Sequence, residues 1–131
     1  MTVNKNIQFR DGHFDIIFSS NVFHHIFLDN HLNIIRELRR VLNHNGILMI
    51  YEHNPFNPFT RWVVKGCPFD HDAVLIQKSR MEKIIVKSNL KLLHGEYRVF
   101  FPALLNQFRI IEKYLTWLPM GAQYFAVGMK E

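Results

Sequence analysis

The sequence predicts an α/β chain, with strands and helices alternating around a mostly parallel sheet. Three observations point there. Phe14–Ser20 is a short, almost continuous apolar run, the pattern of a strand covered on both faces. Ile34, Ile35, Leu38, Val41 and Leu42 recur at helical spacing along one face, with Arg36, Glu37, Arg39 and Arg40 mostly elsewhere. A second apolar run, Ile47–Tyr51, follows the dipeptide Asn45-Gly46. Strand, helix and strand in this order, over about forty residues, make a right-handed βαβ unit.

The remaining elements follow from local signals. The first dozen residues are polar and end on the turn pair Asp11-Gly12. Asp29 or Asn30 is placed to cap the first helix. Asn45-Gly46 is placed to stop it, because both residues tolerate a left-handed backbone. Asn57-Pro58 opens a short helix to Gly66, with Asn as cap and Pro in the first turn. Ser79-Arg80-Met81-Glu82 reads as a capping box ahead of a helix with Met81, Ile84 and Ile85 inward and Lys83 and Lys87 outward, ending at Asn89. Leu90–Phe101 reads as a strand, with Leu92, Leu93, Tyr97, Val99 and Phe101 available for burial. Ala103–Leu118 has helical spacing in Leu104, Leu105, Phe108, Ile111 and Leu115, and Gln123–Met129 makes a last strand after Pro119 and Gly121. The expected order is β-α-β-(short α)-α-β-α-β. It forms one domain: a βαβ unit over 7–53, an irregular segment over 54–78, and closing helices and strands over 79–131.

Composition narrows the function classes. A chain of 131 residues that is 48% hydrophobic and 21% charged is a folded domain rather than a disordered segment. The net charge of +5 admits acidic partners, but the basic residues are scattered, with no run longer than Arg39-Arg40. The reading is a solvated surface and no nucleic-acid partner. One cysteine, Cys67, excludes an internal disulfide and fits a reducing compartment. Neither a signal-peptide core nor a membrane-length apolar window is present, so the chain reads as cytoplasmic.

Ile16-Ile17-Phe18 is patterned for a central strand, yet nothing before it could pair on its other side. A long apolar edge is a pairing hazard. Either another chain covers this edge or the sequence is part of a longer protein, and self-association through Phe14–Ser20 is expected.

Several segments match known motifs. Phe9-Arg10-Asp11-Gly12-His13-Phe14-Asp15-Ile16-Ile17 is close to an F-x-D-G-S-F-D element that leads into a strand. Ser20-Asn21-Val22-Phe23-His24-His25-Ile26 is similar to the loop that follows it. Ile35-Arg36-Glu37-Leu38-Arg39-Arg40-Val41-Leu42, with Asn45-Gly46-Ile47-Leu48, looks like an E-x-x-R-V-L-K-P-G-G element, Asn43-His44-Asn45-Gly46 replacing Lys-Pro-Gly-Gly. No single motif is specific; their order is. The chain resembles the C-terminal half of a class I S-adenosylmethionine (SAM)-dependent methyltransferase. The resemblance implies half of a Rossmann-like sheet: about four strands, the last antiparallel, with flanking helices. It also implies SAM as cofactor and a small-molecule acceptor. The departure is large. The six glycines, at 12, 46, 66, 95, 121 and 128, form no G-x-G-x-G loop, and Val3-Asn4-Lys5-Asn6 offers no counterpart to the acidic residue expected near the adenine.

Ligands in open α/β sheets bind outside the carboxyl ends of the strands, here Ser19 to His25 and Glu52 to Pro58. The resemblance makes Ser19, Ser20 and Asn21 candidate contacts to the methionine portion of SAM; as residues alone they equally suit strand-end capping. His24 and His25 are adjacent and so are expected to point apart, with His25 the candidate to reach the pocket as base or orienter. Glu52 and His53 are candidate proton acceptors, although an already activated methyl donor needs mainly proximity.

The aromatic, proline-rich stretch Asn54–Trp62, followed by Cys67–Asp72, reads either as a substrate lid or as a packed cap. Asn54, Arg61 and Trp62 are its substrate-binding candidates, Arg61 for an anionic group. Cys67, Asp70, His71 and Asp72 have metal-ligating chemistry but no C-x-x-C or H-E-x-x-H spacing, so no metal is expected. Two functions stand: methyl transfer to a small molecule, with this chain by itself weak or inactive, or a non-catalytic dimerising or partner-binding module.

Overall fold

The computed structural model describes residues 7–131, so the reading of Val3–Asn6 lies outside the described residues. The strands are β1 (Phe14–Ser20), β2 (Leu42–His53), β3 (Lys91–Arg98) and β4 (Gln123–Met129); the helices are α1 (His31–Val41), α2 (Pro58–Gly66) and α3 (Lys78–Lys87). They form one four-stranded sheet in the order β1-β2-β4-β3. β1 and β2 are parallel, while β4 runs antiparallel to both of its neighbours, β2 and β3. The α/β class, the β1-α1-β2 unit and the antiparallel last strand are as the sequence predicts.

Burial follows the two-residue period of β2 and β4. Leu48, Ile50 and Glu52 alternate inward on β2, as do Tyr124 and Ala126 on β4. With Ile35 of α1 and Met81 and Ile85 of α3 they form a core that also takes in Phe23, Ile76 and Leu90. Tyr124 is fully buried with its hydroxyl donating to the Ile76 carbonyl at 2.9 Å, which supplies the partner that a buried phenol requires. Burial pushes its ionisation well above the usual tyrosine range.

The chain before β1 is pinned to α1. The Ile7 amide donates to Glu37 Oε1, and Arg40 donates to the Ile7 and Phe9 carbonyls. Gly12 turns the chain with φ +60°, its amide donating to the Arg40 carbonyl. A left-handed backbone of this kind favours glycine.

Several local signals are overruled by tertiary contacts. Asn45-Gly46 does not stop the helix: α1 ends at Val41 and β2 begins at Leu42. Lys130 Nζ donates to the Arg40 and Leu42 carbonyls, satisfying acceptors at the helix end. Asn45, with φ 62°, instead sits where the β1–β2 register jumps, Phe14 facing Leu42 but Ile16 facing Ile47. Asn30 makes no side-chain cap, because a 3-10 turn over Leu28–Asn30 feeds straight into α1. Ser79 is inside α3, whose first flanking residue is Gln77, so no capping box forms. Glu82 pairs one turn back with Lys78 instead. By contrast, Asn57 does cap α2, accepting from the Thr60 amide at 2.9 Å with Pro58 in the first turn.

Two apolar segments are less covered than their patterns predict. β1 is an edge strand among the described residues, and Ile16 and Phe18 are 68% and 61% exposed. Only the sheet face opposite these side chains receives α1 and α3. Ala103–Tyr114 is a 3-10 segment with a non-helical kink at Leu105 and no buried residue, rather than a regular helix on the sheet. Pro102 precedes it, and Glu112 Oε1 reaches back to the Phe100 and Phe101 amides. On β3, Leu92 and Tyr97 pack on the core while a register shift beside Leu93 leaves that residue exposed.

Candidate functional site

The carboxyl ends of the parallel pair β1 and β2 lie side by side, Ser19 facing Ile50 and Ser20 facing Tyr51. The Asn21 amide extends this ladder by one bond, to the Tyr51 carbonyl at 2.8 Å. Asn21 then takes φ 53° and swings the chain into a 3-10 turn, Phe23–His25. Asparagine is among the few non-glycine residues that accept this backbone.

Glu52, from the end of β2, holds that turn in place. It is 1% exposed. Its Oε1 accepts from the Val22 and Phe23 amides at 2.9 and 2.7 Å, and its Oε2 meets His24 Nδ1 at 2.7 Å. The two amides belong to the start of a short helix-like turn, where donors otherwise lack partners. His31, fully buried on α1, adds a brace from below through Nε2, which lies 3.0 Å from the Phe23 carbonyl and 2.9 Å from that of Ile26.

A second loop closes over the first. Asp70 ends the 3-10 turn Pro68–Asp70, and the Val74 amide donates to the His24 carbonyl at 2.9 Å. Asp70 Oδ1 thereby lies 3.4 Å from His24 Nε2 and 3.3 Å from His25 Nε2. The adjacent histidines do not point apart. Their rings sit 4.1 Å apart between centroids, because the 3-10 turn lacks the alternation of a strand. His53 completes the group, its ring 5.3 Å from that of His24. Burial holds the His53 ring below the usual histidine range, with the neighbouring His24 acting in the same direction. Burial opposes ionisation of Asp70, but the neighbouring Cys67 thiol and the His24 and His25 rings prevail and hold its carboxyl below the usual aspartate value.

The predicted residues therefore fall into three groups. His25, Glu52 and His53 gather with His24 and Asp70 at the strand ends. Ser19, Ser20 and Asn21 line the edge of the same region, and Asn21 Oδ1 is buried without a hydrogen-bond partner, an acceptor free for a donor group. The segment after β2 divides. Asn54 is fully buried, its amide group donating to the Pro119 and Gly121 carbonyls and its oxygen accepting from Phe56. The bonds that it donates tie the segment to the β4 approach. Arg61 and Trp62 stand exposed on α2. Asp70 and His24 are the participants that sequence reasoning left outside the site, since their approach depends on a loop contact 46 residues apart (70 − 24).

Comparison with known proteins bears out the fold. Residues 2–50 match the profile of a family described as a methyltransferase domain. That stretch contains β1, the loop to His25, α1 and most of β2. This likeness to a methyltransferase domain covers less than half of the chain. The chain's fold is similar to a SAM-dependent methyltransferase of Archaeoglobus fulgidus, with a TM-score of 0.73 at 12% identity, covering 93% of this chain and 62% of that one. A SAM-dependent methyltransferase of Thermotoga maritima aligns with a TM-score of 0.69 at 15% identity over 96% of this chain and 60% of that one. A Haloferax volcanii methyltransferase, solved in complex with a methyltransferase activator, aligns with a TM-score of 0.61 at 15% identity over 94% and 57%. The chain thus spans about three fifths of the length of these methyltransferases. No curated protein sequence gives a significant match. Among the described residues, no helix is long and apolar enough to cross a membrane.

Proposed function

We propose that this chain forms the acceptor side of a SAM-dependent methyl-transfer site, acting on a small molecule. The observation that carries the reading is the clamp of Glu52 on Val22, Phe23 and His24, which fixes the loop between the two parallel strand ends where such folds bind ligands. SAM supplies an activated methyl group, so the protein's main task is to orient an acceptor in line with it. Asn21 Oδ1, buried and unpartnered, suits the ammonium group of the cofactor's methionine portion, with Ser19 and Ser20 beside it. Arg61 and Trp62 are the exposed acceptor contacts of the segment after β2.

Among the basic groups, His25 and His53 remain the candidates to accept a proton. Glu52 is a positioning residue in this reading, since both of its oxygens already have partners. Asn54 is likewise a structural anchor rather than an acceptor contact. The six glycines make no G-x-G-x-G pattern, so the 131-residue chain by itself binds SAM weakly and turns over slowly or not at all.

Titration of isotope-labelled chain with S-adenosylhomocysteine, followed by amide chemical shifts, tests this. Weak binding with shifts confined to Ser19–His25 and His53 is expected, reduced in Asn21→Ala. Absence of shifts up to millimolar ligand, or shifts centred elsewhere, sinks the site. Micromolar affinity instead contradicts the assignment of the chief cofactor contacts to residues outside this chain.

The second reading is a non-catalytic dimerising or partner-binding module. Exposure of Ile16 and Phe18 on the β1 edge favours it. It also predicts self-association through Phe14–Ser20, and is distinguished by strand pairing that persists while ligand shifts are absent.

A further inference from the structure

We propose that His24, His25 and Asp70 form a binding site for a divalent transition-metal ion of the zinc type. One ligand atom from each lies within 4.8 Å of the other two. The spacing argues for a metal over direct hydrogen bonds. Charge-assisted N–H···O contacts close to about 2.7–2.9 Å, whereas Asp70 Oδ1 stands 3.4 Å from His24 Nε2 and 3.3 Å from His25 Nε2. Tetrahedral ligands at about 2.0–2.1 Å from zinc are separated from one another by about 3.3 Å. Two edges of the cluster already have that length.

The outer contacts point the same way. His24 Nδ1 meets Glu52 Oε2 at 2.7 Å, and Glu52 Oε1 is held by two backbone amides. A carboxylate in that position holds the ring through Nδ1 and turns Nε2 toward Asp70. A cation between Nε2 and Asp70 Oδ1 would take both as ligands in place of the long contact between them. A histidine fixed through its far nitrogen by a carboxylate is the usual support of a metal ligand. The Cys67 thiol also lies beside Asp70. His25 is 43% exposed, so an ion has an entry path and at least one coordination position open to water or to an oxygen donor.

No sequence spacing announces the site. Two ligands are adjacent, and the third arrives only when the loop ending at Asp70 docks on His24. The ligand set also differs from the expectation built on Cys67, Asp70, His71 and Asp72, of which only Asp70 takes part. The inference stands apart from methyl transfer, because the ion is detected without SAM.

The test uses the full 131-residue chain, freed of metal with a chelator and titrated with Co2+ and then Zn2+. One equivalent of Co2+ giving the strong visible bands of a tetrahedral site, displaced by Zn2+, is expected. His25→Ala and Asp70→Asn should each weaken binding at least tenfold with unchanged far-UV circular dichroism. His71→Ala, which alters an exposed neighbour, should leave it unchanged. Absence of cobalt bands, binding that survives both ligand variants, or equal loss in His71→Ala overturns the site. So does a proton alone at His24 Nε2, seen by nitrogen NMR in the presence of excess zinc.

Discussion

Glu52 Oε2 and His24 Nδ1 meet at 2.7 Å, and both side chains are only 1% exposed. The pair joins the end of β2 to the turn after β1, so the two loops at the strand ends form one unit. A buried polar group of this kind is costly to leave half-satisfied.

Removing the carboxylate should therefore loosen the turn before it affects anything distant. Glu52→Ala leaves two amides and an imidazole buried without their acceptor, and should cost about 3–5 kcal/mol. Glu52→Gln keeps one acceptor oxygen and should cost about 1–3 kcal/mol. Urea unfolding measures both, and amide exchange at Val22 and Phe23 localises the effect. Unchanged exchange there would refute the clamp.

The Glu37–Arg40 pair makes stability depend on acid. The Arg40 hydrogen bond holds the Glu37 carboxyl below its ordinary value of 4.5, against burial and with help from the Ile7 amide. A depressed folded-state value means that the contribution is complete above 4.5 and is lost as pH falls through the lower value. The group is partly exposed, so the effect is modest. Thermal unfolding below pH 4.5 should fall less steeply in Glu37→Gln than in the unaltered chain.

Gly121 is required by a backbone approach. A Cβ there would stand 2.6 Å from the Arg98 carbonyl oxygen and 2.9 Å from its nitrogen. Main chain cannot move aside as a flexible side chain can. Gly121→Ala should cost about 1–3 kcal/mol and disturb Asn54, whose amide group donates to the Gly121 carbonyl at 2.7 Å. Denaturant midpoints and the Asn54 side-chain resonances report this, and an unchanged midpoint contradicts it.

The β1 edge should control association. Ile16 and Phe18 project from a strand with no outer partner among the described residues, and charged residues on an edge oppose pairing. Light scattering should show the chain self-associating and Phe18→Lys shifted toward monomer. A monodisperse, unaltered chain with β1 amides already protected from exchange would count against this surface.

The sequence by itself determined the elements whose signals are local. Asn57-Pro58 began α2, Gln123–Met129 formed β4, and the spacing of Ile35, Leu38 and Val41 oriented α1, because capping and periodicity act within a few residues. It also carried the family motifs and placed His25, Glu52 and His53 at the strand ends. Only the tertiary structure decided how those residues are used. Lys130 satisfied the end of α1 and displaced the Asn45-Gly46 stop; Lys78 claimed Glu82 in place of a capping box; the expected helix Ala103–Leu118 became a kinked 3-10 segment with no buried residue over Ala103–Tyr114. Above all, Asp70 was brought to His24 and His25 by loop docking. Contacts of that range follow from how the whole chain packs, and no short pattern of residues encodes them.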